Sequence, residues 1–174
     1  SNQNGNAFLF SALKNIDLSA YDSLAVGPGI GIDHDDWQKS KDFLLDFEGL
    51  LILDADALNR ISESKLGSKF FLERKFKTWI TPHSKEFARL FPNIKGDTNI
   101  GRALNAAEEF NISILLKGAN SIVADNKNKK AWQLFGTDSQ TARAGLGDLL
   151  SGFLAGSSAI DLNSSGNITT EFFA

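Results

Sequence analysis

The run Gly49-Leu-Leu-Ile-Leu53 constrains the fold of this chain more than any other stretch. It has no polar side chain on either face of a strand, which is typical of a parallel sheet that is buried on both faces. Other apolar runs with the length of strands occur at residues 23–26, 78–81 and 112–116. Amphipathic helical periodicity lies between them, at residues 37–47 and 99–110. This alternation predicts an α/β fold with a mostly parallel central sheet flanked by helices.

A second constraint comes from the stretch Thr141-Ala-Arg-Ala-Gly-Leu-Gly-Asp148, which precedes an apolar helical pattern. Gly145 and Gly147 allow the backbone to approach a ligand closely. Asp148 stands where the helix is expected to begin, and the free N–H groups of a helix start attract anions. A carboxylate beside an anion site suits phosphoryl transfer, in which an acceptor hydroxyl must lose its proton. The structural alternative is an aspartate that only caps the helix.

Glycine or polar side chains follow the predicted strands at several places. Right-handed crossovers bring the carboxyl ends of parallel strands to one rim, where open α/β sheets bind ligands. Each cluster is also compatible with a turn or a helix cap, but their shared placement favours a phosphate-handling enzyme. The clusters are the loop Gly27-Pro-Gly-Ile-Gly31, Asp54 with Asp56 and Asn59, His83 with Glu86, Lys117 with Gly118, and the Gly145–Asp148 segment.

Composition argues against several functional classes. The net charge of -3 is unlike that of a general nucleic-acid or anionic-membrane binder. No apolar run is long enough to span a membrane as a helix, and the absence of cysteine excludes disulfides and thiolate chemistry. His83 and Glu86 have no recognisable third metal ligand, so no direct metal site is predicted. We expect a cytoplasmic protein.

Five strings, taken together and in order, resemble those of a known enzyme family. They are Gly27-Pro-Gly-Ile-Gly31, Leu53-Asp-Ala-Asp-Ala-Leu-Asn59, Thr81-Pro-His-Ser-Lys-Glu-Phe-Ala-Arg-Leu90, Leu116-Lys-Gly-Ala-Asn120 and Ala144-Gly-Leu-Gly-Asp148. The family is that of the ADP/ATP-dependent NAD(P)H-hydrate dehydratases, metabolite-repair enzymes of the ribokinase-like superfamily. The resemblance implies a three-layer α/β/α architecture. We expect residues 1–174 to form a single ribokinase-like domain that is incomplete at both ends. The family's opening strands have no counterpart before Ser23, and the helices usual after the Asp148 helix are missing.

The resemblance also implies a reaction, that of a lyase acting on damaged NADH or NADPH. The damaged forms, (S)-NADHX and (S)-NADPHX, carry an extra hydroxyl on the reduced nicotinamide ring. ADP or ATP would phosphorylate this hydroxyl, and loss of phosphate would restore the ring double bond. The implied cofactor is Mg²⁺, and the implied partners are the hydrated dinucleotide, the adenine nucleotide and further copies of the chain. Neither a nucleic acid nor a membrane is an expected partner.

The roles of individual residues follow from the same resemblance. Asp148 is the implied catalytic base, and Glu86 is in a position where related kinases organise magnesium. Asp54, Asp56 and Asn59 are expected to shape the site. The implied contacts to the hydrated dinucleotide are Gly29, Gly31, His83 and Asp148. The implied contacts to the adenine nucleotide are Lys117, Gly118, Ala119, Asn120, Ser121, Gly145 and Gly147.

One departure and two alternatives accompany the resemblance. Many relatives have Ala-Thr-Gly-Gly before the key glycines, whereas this chain has Ala142-Arg-Ala-Gly145, so Arg143 either adds a phosphate contact or is neutral. A ribokinase-like kinase of a small molecule, such as a vitamin precursor, would use the same Gly145–Asp148 segment. A nucleotide-binding regulatory module without turnover would also fit.

Overall fold

Short strands and longer helices alternate along the part of the chain that the structure describes. The structure is a computed structural model, which describes residues 9–127, 129–133 and 146–165, with the backbone alone for 146–148 and 161–165. Its strands are β1 (Ser23–Val26), β2 (Leu50–Leu53), β3 (Thr78–Ile80), β4 (Ser113–Leu116), β5 (Ile122–Asp125) and β6 (Lys130–Gln133). Its helices are α1 (Leu9–Leu13), α2 (His34–Asp46), α3 (Ala55–Glu63), α4 (Lys69–Glu73), α5 (Ser84–Leu90), α6 (Asn99–Phe110) and α7 (Leu146–Ser165).

The six strands form one sheet in the order β1-β2-β3-β4-β5-β6. Strands β1 to β4 are parallel, and β5 and β6 complete the sheet as antiparallel strands. All four residues of β2 are buried, and β2 pairs with a neighbour on each side. The prediction of a mostly parallel sheet with a buried strand in the run 49–53 is therefore confirmed, and the strand itself is Leu50–Leu53.

Side chains of β2 alternate between the two faces of the sheet. Leu51 and Leu53 belong to the larger apolar cluster, to which α2 through α6 contribute their buried apolar residues. Leu50 and Ile52 belong to a smaller cluster on the opposite face, together with Leu154 of α7. Helices therefore cover both faces, as the expected three-layer arrangement requires.

Several of the 14 phenylalanines of the chain pack together on the face of the sheet that carries the larger apolar cluster. The Phe91 ring lies 5.1 Å from that of Phe87, 4.9 Å from that of Phe110 and 6.0 Å from that of Phe71, measured between centroids. These distances lie in the range that favours tilted and edge contacts between rings. The rings join α4, α5 and α6 into one layer against the sheet.

Helix ends are closed by side chains from nearby in the sequence and from distant parts of the chain. Thr98 accepts a hydrogen bond from the N–H of Gly101 at 3.0 Å and caps α6, and Asn111 ends this helix in a left-handed conformation with φ of 54°. Arg74 closes α2 differently, because its buried guanidinium donates to the carbonyl oxygens of Leu44 and Gly49. Burial lowers the pKa of Arg74 to about 10, which still leaves this group charged at neutral pH.

Candidate functional site

Four predicted site segments lie together at the edge of the sheet that the carboxyl ends of the parallel strands form. Val26 pairs with Leu53 and Leu53 with Ile80, so the residues that follow β1, β2 and β3 leave the sheet side by side. An isolated parallel bridge joins His83 to Lys117, and the N–H of Lys117 donates to the carbonyl of Pro82 at 2.8 Å. The predicted convergence of these segments is confirmed.

The glycine loop after β1 is pressed against the end of β2. Gly27 has φ of 144°, and a β-carbon at this position would lie only 1.8 Å from the carbonyl oxygen of Asp54. Gly29 and Gly31 also have positive φ, at 70° and 66°. A side chain at Gly27 would separate the loop from β2, so this glycine is required for the approach.

Helix α3 holds the other end of the same loop. The N–H of Gly31 donates to Asp56 at 2.8 Å, and the Arg60 guanidinium donates to the carbonyls of Ile30 and Gly31. Arg60 is fully buried and forms an ion pair with Asp36 at 2.8 Å. Asp36 in turn accepts from backbone N–H groups at the start of α1. The backbone of Gly31 is thus already hydrogen bonded, and its predicted contact with a dinucleotide would have to form around these bonds.

Asp54 lies at the centre of the edge and is 1% exposed. Its Oδ1 accepts from the Lys117 ammonium at 2.7 Å and from the N–H of Ala55 at 2.8 Å, so Asp54 also caps α3. Its Oδ2 accepts from the Ser151 hydroxyl of α7 at 2.9 Å. Both the capping and the site-shaping interpretation of Asp54 are therefore compatible with one geometry.

His83 and Glu86 form a capping box at the start of α5. The Nδ1 atom of His83 accepts from the N–H of Lys85 at 3.1 Å, and Glu86 Oε2 accepts from the N–H of His83 at 2.8 Å. The second oxygen of Glu86 lies 3.3 Å from His83 Nε2. Glu86 is buried, whereas the His83 side chain is 48% exposed. Half of the His83 side chain is exposed, so its ring can contact a ligand, but both ring nitrogens have partners within the cap. Both oxygens of Glu86 face His83.

Lys117 begins a tight connection between β4 and β5. The Ser121 hydroxyl donates to the carbonyl of Gly118 at 3.2 Å, which closes the turn. Gly118, Ala119 and Asn120 are exposed, and the Lys117 side chain is about one-quarter exposed. The alternative of a solvated lysine in a hairpin turn is confirmed for the turn. It is wrong for the lysine, because Lys117 is paired with Asp54.

Asn59 lies further along α3, on the side that meets α5. Its Oδ1 accepts from the Arg89 guanidinium at 2.6 Å. The contact ties the helix after β2 to the helix after β3.

Helix α7 begins at Leu146, so its first turn includes the backbone of Gly147 and Asp148. The predicted helix is confirmed, but it begins two residues earlier than expected, inside the glycine segment, so Asp148 lies within the first turn and does not cap it. The side chain of Asp148 and all of Gly145 lie outside the described residues. Behind the first turn, the Ser151 hydroxyl is bonded to Asp54, and the Ser23 hydroxyl of β1 donates to the carbonyl of Ala155 at 2.9 Å. These bonds fix the start of α7 over β1 and β2.

The motifs at this edge coincide with those of a described protein family. The family profile for NAD(P)H-hydrate dehydratase matches residues 4–167. The chain belongs to the NAD(P)H-hydrate dehydratase family. The resemblance carried by the five strings is therefore confirmed, while the roles of single residues remain predictions.

Relatives of this dehydratase-family chain support the assignment. The bifunctional NAD(P)H-hydrate repair enzyme Nnr of Synechocystis is 35% identical over 146 residues, which cover 84% of this chain and 27% of that relative. The chain thus spans about a quarter of the length of that relative.

Two solved structures share the fold of this family member. ADP/ATP-dependent NAD(P)H-hydrate dehydratase from Bacillus subtilis, co-crystallized with ATP/Mg²⁺, has a TM-score of 0.66 and 25% identity, with coverage of 84% of this chain and 51% of that one. A ribokinase-like superfamily protein from Enterococcus faecalis V583 has a TM-score of 0.67 at 23% identity, with coverage of 84% and 50%. The expected ribokinase-like α/β architecture is confirmed.

Sequence reasoning missed two residues that organise the site, Arg60 and Ser151. Arg60 lies on the amphipathic helix α3 and binds carbonyls 29 and 30 positions earlier in the chain, which no local pattern indicates. Ser151 left a weak signal, because it follows Asp148 by three positions and so shares a helix face with it. Thr81, which follows β3, is also buried, and its hydroxyl has no hydrogen-bond partner within the described residues.

The described residues contain no group of three carboxylate, imidazole or thiolate side chains close enough to hold a metal ion. Within the same residues, no helix is both long and apolar enough to cross a membrane.

Proposed function

We propose that this chain uses ADP or ATP to dehydrate hydrated NADH and NADPH, and so returns them to NADH and NADPH. The observation that carries the proposal is the meeting of three elements at Asp54. This carboxylate is bonded to Lys117, on the expected nucleotide side, and to Ser151, on the helix whose first turn includes the predicted base Asp148. Membership of the dehydratase family supplies the reaction, which is proposed for this chain because it spans only part of its relatives.

The nucleotide would bind beside the turn that follows β4. The Lys117 ammonium has three donors, of which Asp54 takes one, and the partly exposed group can direct another at a phosphate oxygen. The exposed turn of Gly118, Ala119 and Asn120 follows it directly and would lie against the nucleotide. The N–H groups in the first turn of α7, from Leu146 onward, would face the transferred phosphoryl group.

The hydrated dinucleotide would bind beside the glycine loop and the exposed His83 imidazole. Its ring hydroxyl would attack the terminal phosphorus of the nucleotide as Asp148 accepts the hydroxyl proton. A new O–P bond forms, the bond between the terminal and the next phosphate breaks, and AMP or ADP leaves. The ring C–O bond then breaks with loss of phosphate, and a neighbouring ring carbon loses a proton, which restores the double bond.

Mg²⁺ belongs to this proposal as the ion that accompanies the nucleotide. The described residues form no direct site for it, and Mg²⁺ is commonly held by substrate phosphates and water with few protein ligands. None of the steps above depends on a metal ligand in the described residues.

We further propose that residues 1–174 form one ribokinase-like domain of a homo-oligomeric, cytoplasmic enzyme. Sedimentation velocity tests the oligomeric state, and cell fractionation tests the location.

The test is incubation of the chain with purified hydrated NADH and either ADP or ATP. We expect the absorbance of the reduced nicotinamide to return only when a nucleotide is present. Asp148→Asn should lower this rate by roughly a hundredfold or more, since general base catalysis contributes about that much. Thr98→Ala, at the remote cap of α6, is the matched control and should retain the rate per folded molecule.

Two results would overturn the proposal. Nucleotide-dependent phosphorylation of an alcohol without recovery of NADH would identify a small-molecule kinase. Binding of nucleotide with no turnover of either kind would leave a binding module.

A further inference from the structure

Asp54 is a buried carboxylate whose bonds connect three separate elements. It follows β2, accepts from Lys117 at the end of β4, and accepts from Ser151 in α7. Asp54 is 1% exposed and Ser151 is 2% exposed, so water does not compete for the bond between these two side chains. Asp54 and Ser151 are separated by 97 positions and Asp54 and Lys117 by 63, so only the fold brings them together.

The bond to Lys117 sets the direction of the ammonium. A lysine side chain on the surface is flexible and loses considerable rotamer entropy when it binds a ligand. Here the Nζ atom is already held at 2.7 Å from Asp54 while a quarter of the side chain stays exposed. The ammonium is therefore oriented before any phosphate arrives.

The bond to Ser151 sets the position of α7. Ser151 lies three residues after Asp148, nearly one helical turn further along the same face. A helix fixed at Ser151 has its first turn fixed in rotation and in distance from the sheet. The site of proton acceptance is thus tied to the same carboxylate as the phosphate-binding lysine.

We propose that Asp54 is a positioning residue, which holds Lys117 and the first turn of α7 in register for transfer of the phosphoryl group. The inference rests on the proposed function. It assigns to Asp54 and Ser151 no contact with either substrate. Misplacement of reacting groups by about 1 Å can lower a rate roughly a hundredfold, so loss of this link should be visible in kcat.

The experiment is a double-mutant cycle of Asp54→Asn and Ser151→Ala, with kcat measured by recovery of NADH and corrected for the folded fraction. Each single variant should lower kcat about tenfold or more, and the double variant should lose little beyond the worse single variant, because both changes break one link. Ser151→Thr keeps the hydroxyl and should restore kcat to within about threefold of the unmodified chain. Thr98→Ala provides a destabilised control whose kcat per folded molecule is unchanged.

Titration of ADP by calorimetry tests the lysine side of the link without turnover. Positioning predicts weaker ADP binding by Asp54→Asn, because Lys117 is no longer oriented. A role of Asp54 as a mere counter-charge predicts the opposite, tighter binding, because the ammonium would lose its compensating carboxylate.

The positioning role of Asp54 and the proposed function would be overturned by different results. Unchanged kcat in both single variants, losses that multiply in the double variant, or tighter ADP binding by Asp54→Asn would each overturn the positioning role. Absence of NADH recovery by the unmodified chain would instead overturn the proposed function, and the ADP titration would still decide how Asp54 acts on Lys117.

Discussion

Gly27 allows the loop after β1 to lie directly against the end of β2 at the candidate site, because it has no side chain. Its backbone lies in a conformation that L side chains rarely adopt, and a β-carbon would overlap the carbonyl of Asp54. The sequence predicted a ligand loop here with a plain tight turn as the alternative. The close approach to β2 gives this glycine a structural requirement, and the loop's contact with a ligand stays a prediction.

Gly27→Ala should therefore destabilise the chain far more than Gly29→Ala. Gly29 has φ of 70°, but a β-carbon there would meet no atom within 4 Å, so its change adds backbone strain alone, about 1–2 kcal/mol. Gly27→Ala adds an overlap with backbone atoms and should cost roughly 3 kcal/mol or more. Urea unfolding of both variants measures the difference. Equal losses would contradict the described packing of the loop against β2.

Arg60 is the second residue on which the loop depends. Arg60→Ala would leave Asp36 as a buried charge without its cation and would free the carbonyls of Ile30 and Gly31. Breaking a buried pair in this way costs about 3–5 kcal/mol. Arg89→Ala removes an arginine of the neighbouring exposed surface and should cost about 1 kcal/mol or less. Denaturant midpoints of the two variants check this, and a similar small shift in both would argue against the buried pair.

At the scale of elements, helices and strands were predicted most reliably where the helical periodicity was long or the run was wholly apolar. Residues 23–26 and 99–110 were predicted with the bounds that β1 and α6 have. The capping box of α5 was partly predicted, because Pro82 and the spacing of His83 and Glu86 indicate a first turn. Whether Glu86 organises magnesium could not be predicted from this spacing, since the same spacing produces the cap in which its oxygens face His83.

Only one side of helix α7 packs against the sheet. The adjacent residues Leu154 and Phe153 lie on different sides of the helix and can test this orientation. Leu154 is 2% exposed and packs with the smaller cluster, whereas Phe153 is 57% exposed. Leu154→Ala should lower the free energy of unfolding by about 2–5 kcal/mol. Phe153→Ala should change it by about 0.5 kcal/mol or less, as for other exposed positions. Thermal or urea unfolding gives both values, and a larger loss at Phe153 would mean that α7 is rotated from the described orientation.

At the scale of the whole molecule, one topological rule predicted most of the candidate site. Parallel strands end at one edge, so the glycine loop, Asp54, His83 and Lys117 could be placed together from the sequence alone. The links among them could not be predicted, because Arg60 reaches back to an earlier loop and Ser151 reaches across from the other face of the sheet. Such bonds depend on how layers pack, which local patterns in a sequence do not encode.

The proposed activity makes phosphate a product with a fixed ratio to repaired NADH. The most direct measurement of this account follows inorganic phosphate and recovered NADH together, with hydrated NADH and ATP as substrates. The account predicts one phosphate released for each NADH recovered, with no phosphorylated dinucleotide left at the end. Phosphate that remains on an organic product, or NADH that recovers without consumption of nucleotide, would contradict it.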